Sequence, residues 1–283
     1  MKLGVSTYSL WKAIRRGEMD VLEAIDWIAE QGGVHVEIVP PVHLGEKPEL
    51  VRQIVERAAR AGIEISNYAI GGNLVTDDDA EFEAEIERLK GEVDIARALG
   101  VKLMRHDAAS HSDTSMSHFM RRLPKLAEGC RRVADYAASF GITTSVENHG
   151  FFLQASDRVL ALVDAVGRPN FKTTIDIGNF MCADENSVAA VKKNIGFASM
   201  IHMKDFYLRP ASLNLGEGWY KTMAGNYVRG AIVGHGDIDI PEVLRIVRNS
   251  GYDGYISLEF EGMEDCREGT RIGLDNMRRW LAD

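Results

Sequence analysis

The sequence predicts a closed eight-stranded barrel of alternating strands and helices, and three observations lead there. Short β-branched runs alternate with longer segments of helical period along the chain, one repeat in roughly 30 residues. The length of 283 residues is close to the usual size of a (β/α)8 barrel, about 250 residues. Four apolar runs in the C-terminal half each end in a side chain able to hold a metal: SVENHG in Glu147, TIDIGN in Asp176, MIHMKD in His202 and SLEFEG in Glu259. In a barrel the C-terminal ends of all strands converge on one mouth, so four such residues would meet there.

The strand candidates, in order, are LGVSTYSL near residue 3, VHVEIV near 34, IEISNYAI near 63, VKLMRHD near 101, ITTSVENHG near 142, FKTTIDIGN near 171, FASMIHMKD near 197 and YISLEFEG near 255. Their β-branched and aromatic side chains suit a pleated, buried surface. Between them, MDVLEAIDWIAEQGG, ELVRQIVERAARAGI, FEAEIERLKGEVDIARALG, LPKLAEGCRRVADYAASFG, SDRVLALVDAVG and IPEVLRIVRNSGY carry apolar residues at three-and-four spacing, and most close on a Gly that can cap a helix. CREGTRIGLDNMRRWLAD supplies the last helix, and the mixed charge of EAEIERLKGE reads as a solvated outer face. A doubly wound open sheet is the alternative. The lack of a GxGxxG after the first strand, and candidate ligands spread over the fifth to eighth strands, favour closure. One domain over residues 1–283 is expected.

With a net charge of -9 at pH 7, the field of the chain repels nucleic-acid backbones and anionic membranes. Three widely spaced cysteines, Cys130, Cys182 and Cys266, supply neither a disulfide framework nor a CxxC zinc site and fit a reducing cytoplasm. No stretch reaches the roughly 18 apolar residues of a membrane span.

Glu147, Asp176, His202 and Glu259 make an oxygen-rich donor set that suits Mn2+ first, with Mg2+, Co2+, Zn2+ or Fe2+ as alternatives. Four protein ligands on an ion that accepts about six leave positions for a substrate to chelate. Taken singly, each is an ordinary strand-end polar residue; taken together they point to one divalent-metal centre, because burying a carboxylate costs several kcal/mol unless it is paired or metal-bound.

The chain resembles the xylose-isomerase-like TIM barrels grouped as sugar phosphate isomerases/epimerases, whose relatives include ketose 3-epimerases, inosose dehydratase, 3-oxo-glycoside and C-glycoside lyases, and the apurinic endonucleases. The resemblance covers nearly the whole chain and rests on VEI with Glu37, VENHG, IDIGN, HMKD and GHGDIDIPEVLRIVRNSGYDGYISLEFEG. It implies that Glu147, Asp176, His202 and Glu259 are the metal ligands, and that Glu147 and Glu259 also transfer protons. One departure matters: where the epimerases have His three residues after the metal Asp, this chain has Asn179, which can hold a hydroxyl but cannot shuttle a proton. Another base is then required. The candidates are His149, two residues beyond Glu147 and so on the same strand face; Lys204, two beyond His202, which could steady a developing enolate; and His106 at the fourth strand end.

The expected function is a divalent-metal-dependent sugar isomerase or epimerase working on a small carbohydrate through a metal-stabilised enediolate. A lyase, either a dehydratase or a 3-oxo-glycoside/C-glycoside deglycosidase, shares the first proton abstraction and then expels a β substituent. A multi-metal endonuclease demands more His and acidic ligands than the strand ends place together here, with only eight histidines in the chain, and the charge of -9 disfavours a DNA track; a non-catalytic sugar-binding barrel is the third class. Between His202 and Ile240 a long Gly- and aromatic-rich loop reads as a lid, with Trp219, Tyr220, Tyr227 and Arg229 as substrate contacts and His235 with Asp237 seating it. Its aromatics suit a subunit interface equally well, and a homo-oligomer or a place in a larger complex is expected. Glu37 either orients a ligand or substrate or pairs with Arg105.

Overall fold

The computed structural model describes residues 1–282. Its strands are β1 (Lys2–Ser6), β2 (His35–Ile38), β3 (Glu64–Ile70), β4 (Leu103–His106), β5 (Thr143–Glu147), β6 (Phe171–Asp176), β7 (Ala198–Met203), β8 (Asp205–Arg209), β9 (Tyr220–Lys221), β10 (Tyr227–Ala231) and β11 (Tyr255–Leu258). Eight of them close a barrel in the order β1-β11-β7-β6-β5-β4-β3-β2, with every adjacent pair parallel. All eight fall on the runs expected from sequence.

The helices are α1 (Trp11–Arg15), α2 (Val21–Glu30), α3 (Pro48–Ala61), α4 (Asp79–Ala98), α5 (Met116–Ala138), α6 (Ser156–Val166), α7 (Asn179–Cys182), α8 (Ser187–Asn194), α9 (Ile240–Asn249) and α10 (Cys266–Ala282). Local chemistry sets their ends. Asp20 and Glu23 form a reciprocal capping box on α2, Asp78 caps α4 and Ser115 caps α5. Gly62 stops α3 at φ 71, a left-handed cap that a Cβ would strain. The short α1, α7 and α8 escape the periodicity reading, since one or two turns show too few repeats to register. Helix α4 corrects another reading: Glu92, at the end of the charged EAEIERLKGE segment, is buried, where it accepts from the Tyr68 hydroxyl at 2.7 Å and pairs with Arg88 at 3.3 Å and His43 at 3.1 Å.

The main apolar core lies between barrel and helices, where Ile25, Ile28, Ile54, Leu89, Val93, Val133, Val146, Ile175, Ile201 and Ile256 are fully buried. Inside the barrel the side chains are largely polar. At its base β1 runs so close to β2 that a Cβ on Gly4 would lie 2.1 Å from the His35 carbonyl oxygen. Gly4→Ala therefore has to separate two paired strands and should cost about 3 kcal/mol or more, read as a lowered urea midpoint at unchanged slope; a midpoint within error of wild type would show that the barrel yields there freely.

His35 itself carries a pH dependence. The ring is fully buried, with Nε2 3.1 Å from the Ile256 carbonyl oxygen and the Tyr255 ring edge-on at 4.9 Å. Burial lowers its pKa from 6.5 to about 4. Between those values the unfolded chain takes up a proton that the folded chain refuses. Stability is therefore fully present above pH 6.5 and declines as pH falls towards 4, by about 3 kcal/mol in total from this group. Denaturant titrations of wild type and His35→Gln across this window should differ in slope; identical slopes would rule the effect out.

The connection after β7 is not the irregular loop expected. Strands β8, β10 and β9 make an antiparallel three-stranded sheet in that order. Asp205 holds it at the mouth: its buried carboxylate accepts from the backbone N–H groups of Phe206 (2.9 Å), Gly234 (2.9 Å), Gly236 (2.9 Å) and Ile238 (3.3 Å). Asp184 secures the far turn by accepting from Thr222, Ala224 and Asn226. Short strands and many turns hide the sheet from a pattern reading.

Candidate active site

Register decides what faces inward. Arg105 pairs with Ser145, Glu147 with Thr174, Asp176 with His202, and His202 with Ser257. Because strand side chains alternate, Arg105, Glu147, Asp176, His202 and Glu259 share the inner face at the C-terminal end, joined by Glu37 from β2. They meet in and beneath a cavity of about 360 Å3, whose wall also includes Tyr8, Asp107, His149, Phe151, Gln154, Asn179, Cys182, Lys204, Tyr220 and Glu261.

His202 is central. Its Nε2 lies 2.9 Å from Glu37 Oε2, and since a carboxylate can only accept, that nitrogen donates. Its Nδ1 is buried without a hydrogen-bond partner, 3.4 Å from Glu259 Oε1 and 3.8 Å from Glu147 Oε2. Glu147 accepts from Arg105 Nε at 2.6 Å on one oxygen and from Asn179 Nδ2 at 2.8 Å on the other. Asp176 Oδ1 accepts from the backbone N–H groups of Gly178 (2.8 Å) and Asn179 (3.0 Å), leaving Oδ2 turned inward. Asn148, outward on the neighbouring strand end, exchanges two 2.8 Å hydrogen bonds with the Asp176 backbone and so ties β5 to β6 at the site.

Lys204 Nζ stands 2.8 Å from Asp176 Oδ2, 2.9 Å from Glu259 Oε2 and 3.3 Å from Glu261 Oε2. The other Glu261 oxygen accepts from the Tyr8 hydroxyl at 2.9 Å. A Cβ on Gly178 would press on the Lys204 stem at 3.0 Å, so the glycine of IDIGN makes room for this lysine.

The charges perturb one another strongly. Burial opposes the histidinium, but the carboxylates of Glu37, Glu259 and Glu147 raise the His202 pKa to about 10. Burial raises Asp176, against the pull of Lys204. Glu259 is lowered despite its burial, because Lys204 and His202 favour its anion. Lys204 and Arg105 stay charged: burial works against both, and the surrounding carboxylates outweigh it.

This donor set fits a divalent cation. Two overlapping groups, Glu37 with His202 and Glu259, and Glu147 with Asp176 and His202, each bring one donor atom per residue within 4.8 Å of one another. The orphaned His202 Nδ1 amid carboxylate oxygens is the firmest sign, since a buried nitrogen without a partner is costly. With a cation at Nδ1, Glu37 would be the outer partner that orients the imidazole from its far side.

The remaining expected residues divide. His149 stands at the cavity rim, half exposed, with Nδ1 3.3 Å from Asp107 Oδ2. The hydrogen bond to Asp107 raises its pKa although burial opposes the charge. The loop behind it is pinned, since Phe151 takes a left-handed φ of 59 and its N–H donates to Gln154 Oε1 at 2.7 Å. Asn179 lines the cavity but spends its amide N–H on Glu147.

His106 lies elsewhere. Its parity is opposite to Arg105, so it faces the helices, buried against Phe171 at 6.3 Å with Nδ1 2.9 Å from the Asp107 carbonyl oxygen, and burial lowers its pKa. In RHD the residues that reach the mouth are Arg105 and Asp107. Trp219 and Arg229 are not on the cavity wall: Arg229 stacks over Trp219 at 4.9 Å and over Tyr207 at 5.0 Å, on the small sheet. His235 is exposed in the turn before α9. Of the lid aromatics named from sequence, Tyr220 lines the cavity and Tyr227 does not. Arg105 is taken by Glu147 and Asp107, not by Glu37. The pattern reading missed Glu261, although it is two residues beyond Glu259 and the same period-two argument reaches it. Tyr8, in the turn after β1, carries no such signal.

The fold and site together define a (β/α)8 barrel with an acidic, histidine-bearing mouth. The family model described as Xylose isomerase-like TIM barrel matches residues 25–280, and the chain belongs to that family. Inosose dehydratase of Clostridium perfringens is 23% identical over 139 residues, a match spanning 48% of this chain and 46% of that protein, so the chain aligns with under half the length of this relative. Among solved structures, the IOLI protein with a bound zinc atom is 16% identical with a TM-score of 0.79, covering 100% of this chain and 97% of that one. D-psicose 3-epimerase solved in the presence of D-fructose is 18% identical with a TM-score of 0.75 and full coverage of both chains.

Proposed function

We propose that this protein is a divalent-metal-dependent enzyme that removes a proton from the carbon beside the carbonyl of a small polyhydroxy ketone or aldehyde, returning it as a sugar isomerase or epimerase. The observation that carries the reading is one cavity holding both the His202 cluster and, on its rim, the His149–Asp107 pair. Glu147, Asp176, His202 and Glu259 would hold the cation, with Mn2+ the best match to three carboxylates and one imidazole. The bound ion supplies positive charge against an oxygen that becomes anionic as its neighbouring carbon is deprotonated. His149 takes the proton at Nε2 while Asp107 holds Nδ1 and favours the resulting imidazolium. Lys204 is within the same wall to hold a substrate oxygen. Zinc in one structural relative and the sugar epimerase among the others agree with this class.

A specific observation favours a second reading, elimination. Glu147 is bound by Arg105 and Asn179, and Glu259 by Lys204, so neither is a free proton shuttle. One free base suffices for a lyase that expels a β substituent, and the match to an inosose dehydratase points the same way. Incubating Mn2+-loaded protein in deuterated water with inososes, ketoses and 3-oxo-glycosides separates the two: isomerase or epimerase chemistry incorporates deuterium at carbon with the formula otherwise kept, elimination releases water or an aglycone. Absence of both from every substrate would refute the proton-abstraction reading.

A further inference from the structure

Lys204 stands where its charge interferes with the cation that the preceding reading assigns to this site. Its ammonium touches Asp176 Oδ2 at 2.8 Å and Glu259 Oε2 at 2.9 Å, and both residues belong to the proposed ligand set. It is nearly as close to a third carboxylate outside that set, Glu261 Oε2 at 3.3 Å. The side chain is buried, so the ammonium has no bulk water to retreat to. Glu261 is more open, and its other oxygen is steadied by the Tyr8 hydroxyl at 2.9 Å, while the Tyr8 ring faces Nζ at 5.7 Å. One end of the lysine's range is thus the metal carboxylates, and the other is an anion flanked by an aromatic face.

We propose that Lys204 competes with the divalent cation for Asp176 and Glu259, and that Glu261 with Tyr8 is the seat to which the ammonium moves its weight when the cation is held. This rests on the metal reading above. A like charge so near a dication weakens its binding, and the penalty shrinks as the ammonium is drawn to another anion. Lys204 then sets metal affinity low enough for exchange, and Glu261 tunes how low. The lysine remains protonated throughout; what changes is which carboxylates it serves.

Calorimetric titration of metal-stripped protein with Mg2+ and Mn2+ tests this without reference to turnover. Lys204→Met should bind about tenfold tighter or more. Glu261→Gln, on a partly exposed residue, should bind about fivefold weaker, and the loss should fall below about twofold when combined with Lys204→Met, because the coupling passes through the lysine. An unchanged or weakened affinity in Lys204→Met, or an undiminished Glu261→Gln loss in the double variant, would overturn the competition. If wild type binds and Lys204→Met is no tighter, this inference fails alone; if neither binds either ion, the metal reading fails with it. Should circular dichroism show that Lys204→Met does not fold, wild-type protein labelled with 13C at lysine Cε answers instead. The Lys204 signal, identified by its loss in Lys204→Arg, should move as diamagnetic Mg2+ saturates the site, and a signal that stays fixed would overturn the proposal.

Discussion

Replacing His202 by Gln is expected to lower divalent-metal affinity by more than about 100-fold and to remove activity with it. Losing an outer partner of a metal-bound histidine typically costs roughly 10- to 100-fold, and this substitution removes the nitrogen proposed as the ligand itself. The same scale predicts that Glu37→Gln, which leaves Nδ1 in place but loosens the ring from behind, weakens binding by about 10- to 100-fold. Both side chains are buried, so thermal unfolding must accompany the titrations to separate misfolding from lost ligation. A folded His202→Gln protein that binds Mn2+ like wild type would end the metal assignment.

His149→Gln should lower kcat by about 100- to 10,000-fold, the range that a positioned general base contributes, while metal affinity stays within about threefold of wild type. The split follows from geometry. His149 is on the rim and bonded to Asp107, not to the carboxylates around His202, so its loss should leave the ion's surroundings intact. Deuterium wash-in at the substrate carbon should disappear in parallel, because that exchange reports the abstraction step directly. A kcat within tenfold of wild type would transfer the role of base to another group and weaken the single-base argument on which the elimination reading depends.

Much of this arrangement was legible in the chain. A strand needs only a short run of β-branched residues to announce itself, and the barrel strands begin and end close to the runs that suggested them. Parity along a strand was equally informative where it was applied: counting two residues from Glu147 and from His202 reaches His149 and Lys204, which do line the cavity. The same rule, applied to RHD, would have chosen Arg105 and Asp107 over His106, whose imidazole looked apt by type but faces the helices. The segment after β7 shows mainly glycines and aromatics along the chain; its β8–β10 pairing joins residues 18 to 26 positions apart, and Trp219 and Arg229 meet each other there instead of a ligand.

The sequence by itself determined the number and order of the eight barrel strands, their closure into a barrel and the identity of the polar residues at their ends, because alternation and turn chemistry are local and repeat along the chain. Only the tertiary structure decided which atoms those residues share: that Glu37 backs His202, that Arg105 serves Glu147, and that Lys204 lies among Asp176, Glu259 and Glu261. Such pairings depend on strand register and on distances of a few ångströms between residues up to 165 positions apart. Electrostatic partnership falls off with distance in space, and a linear pattern carries no measure of that.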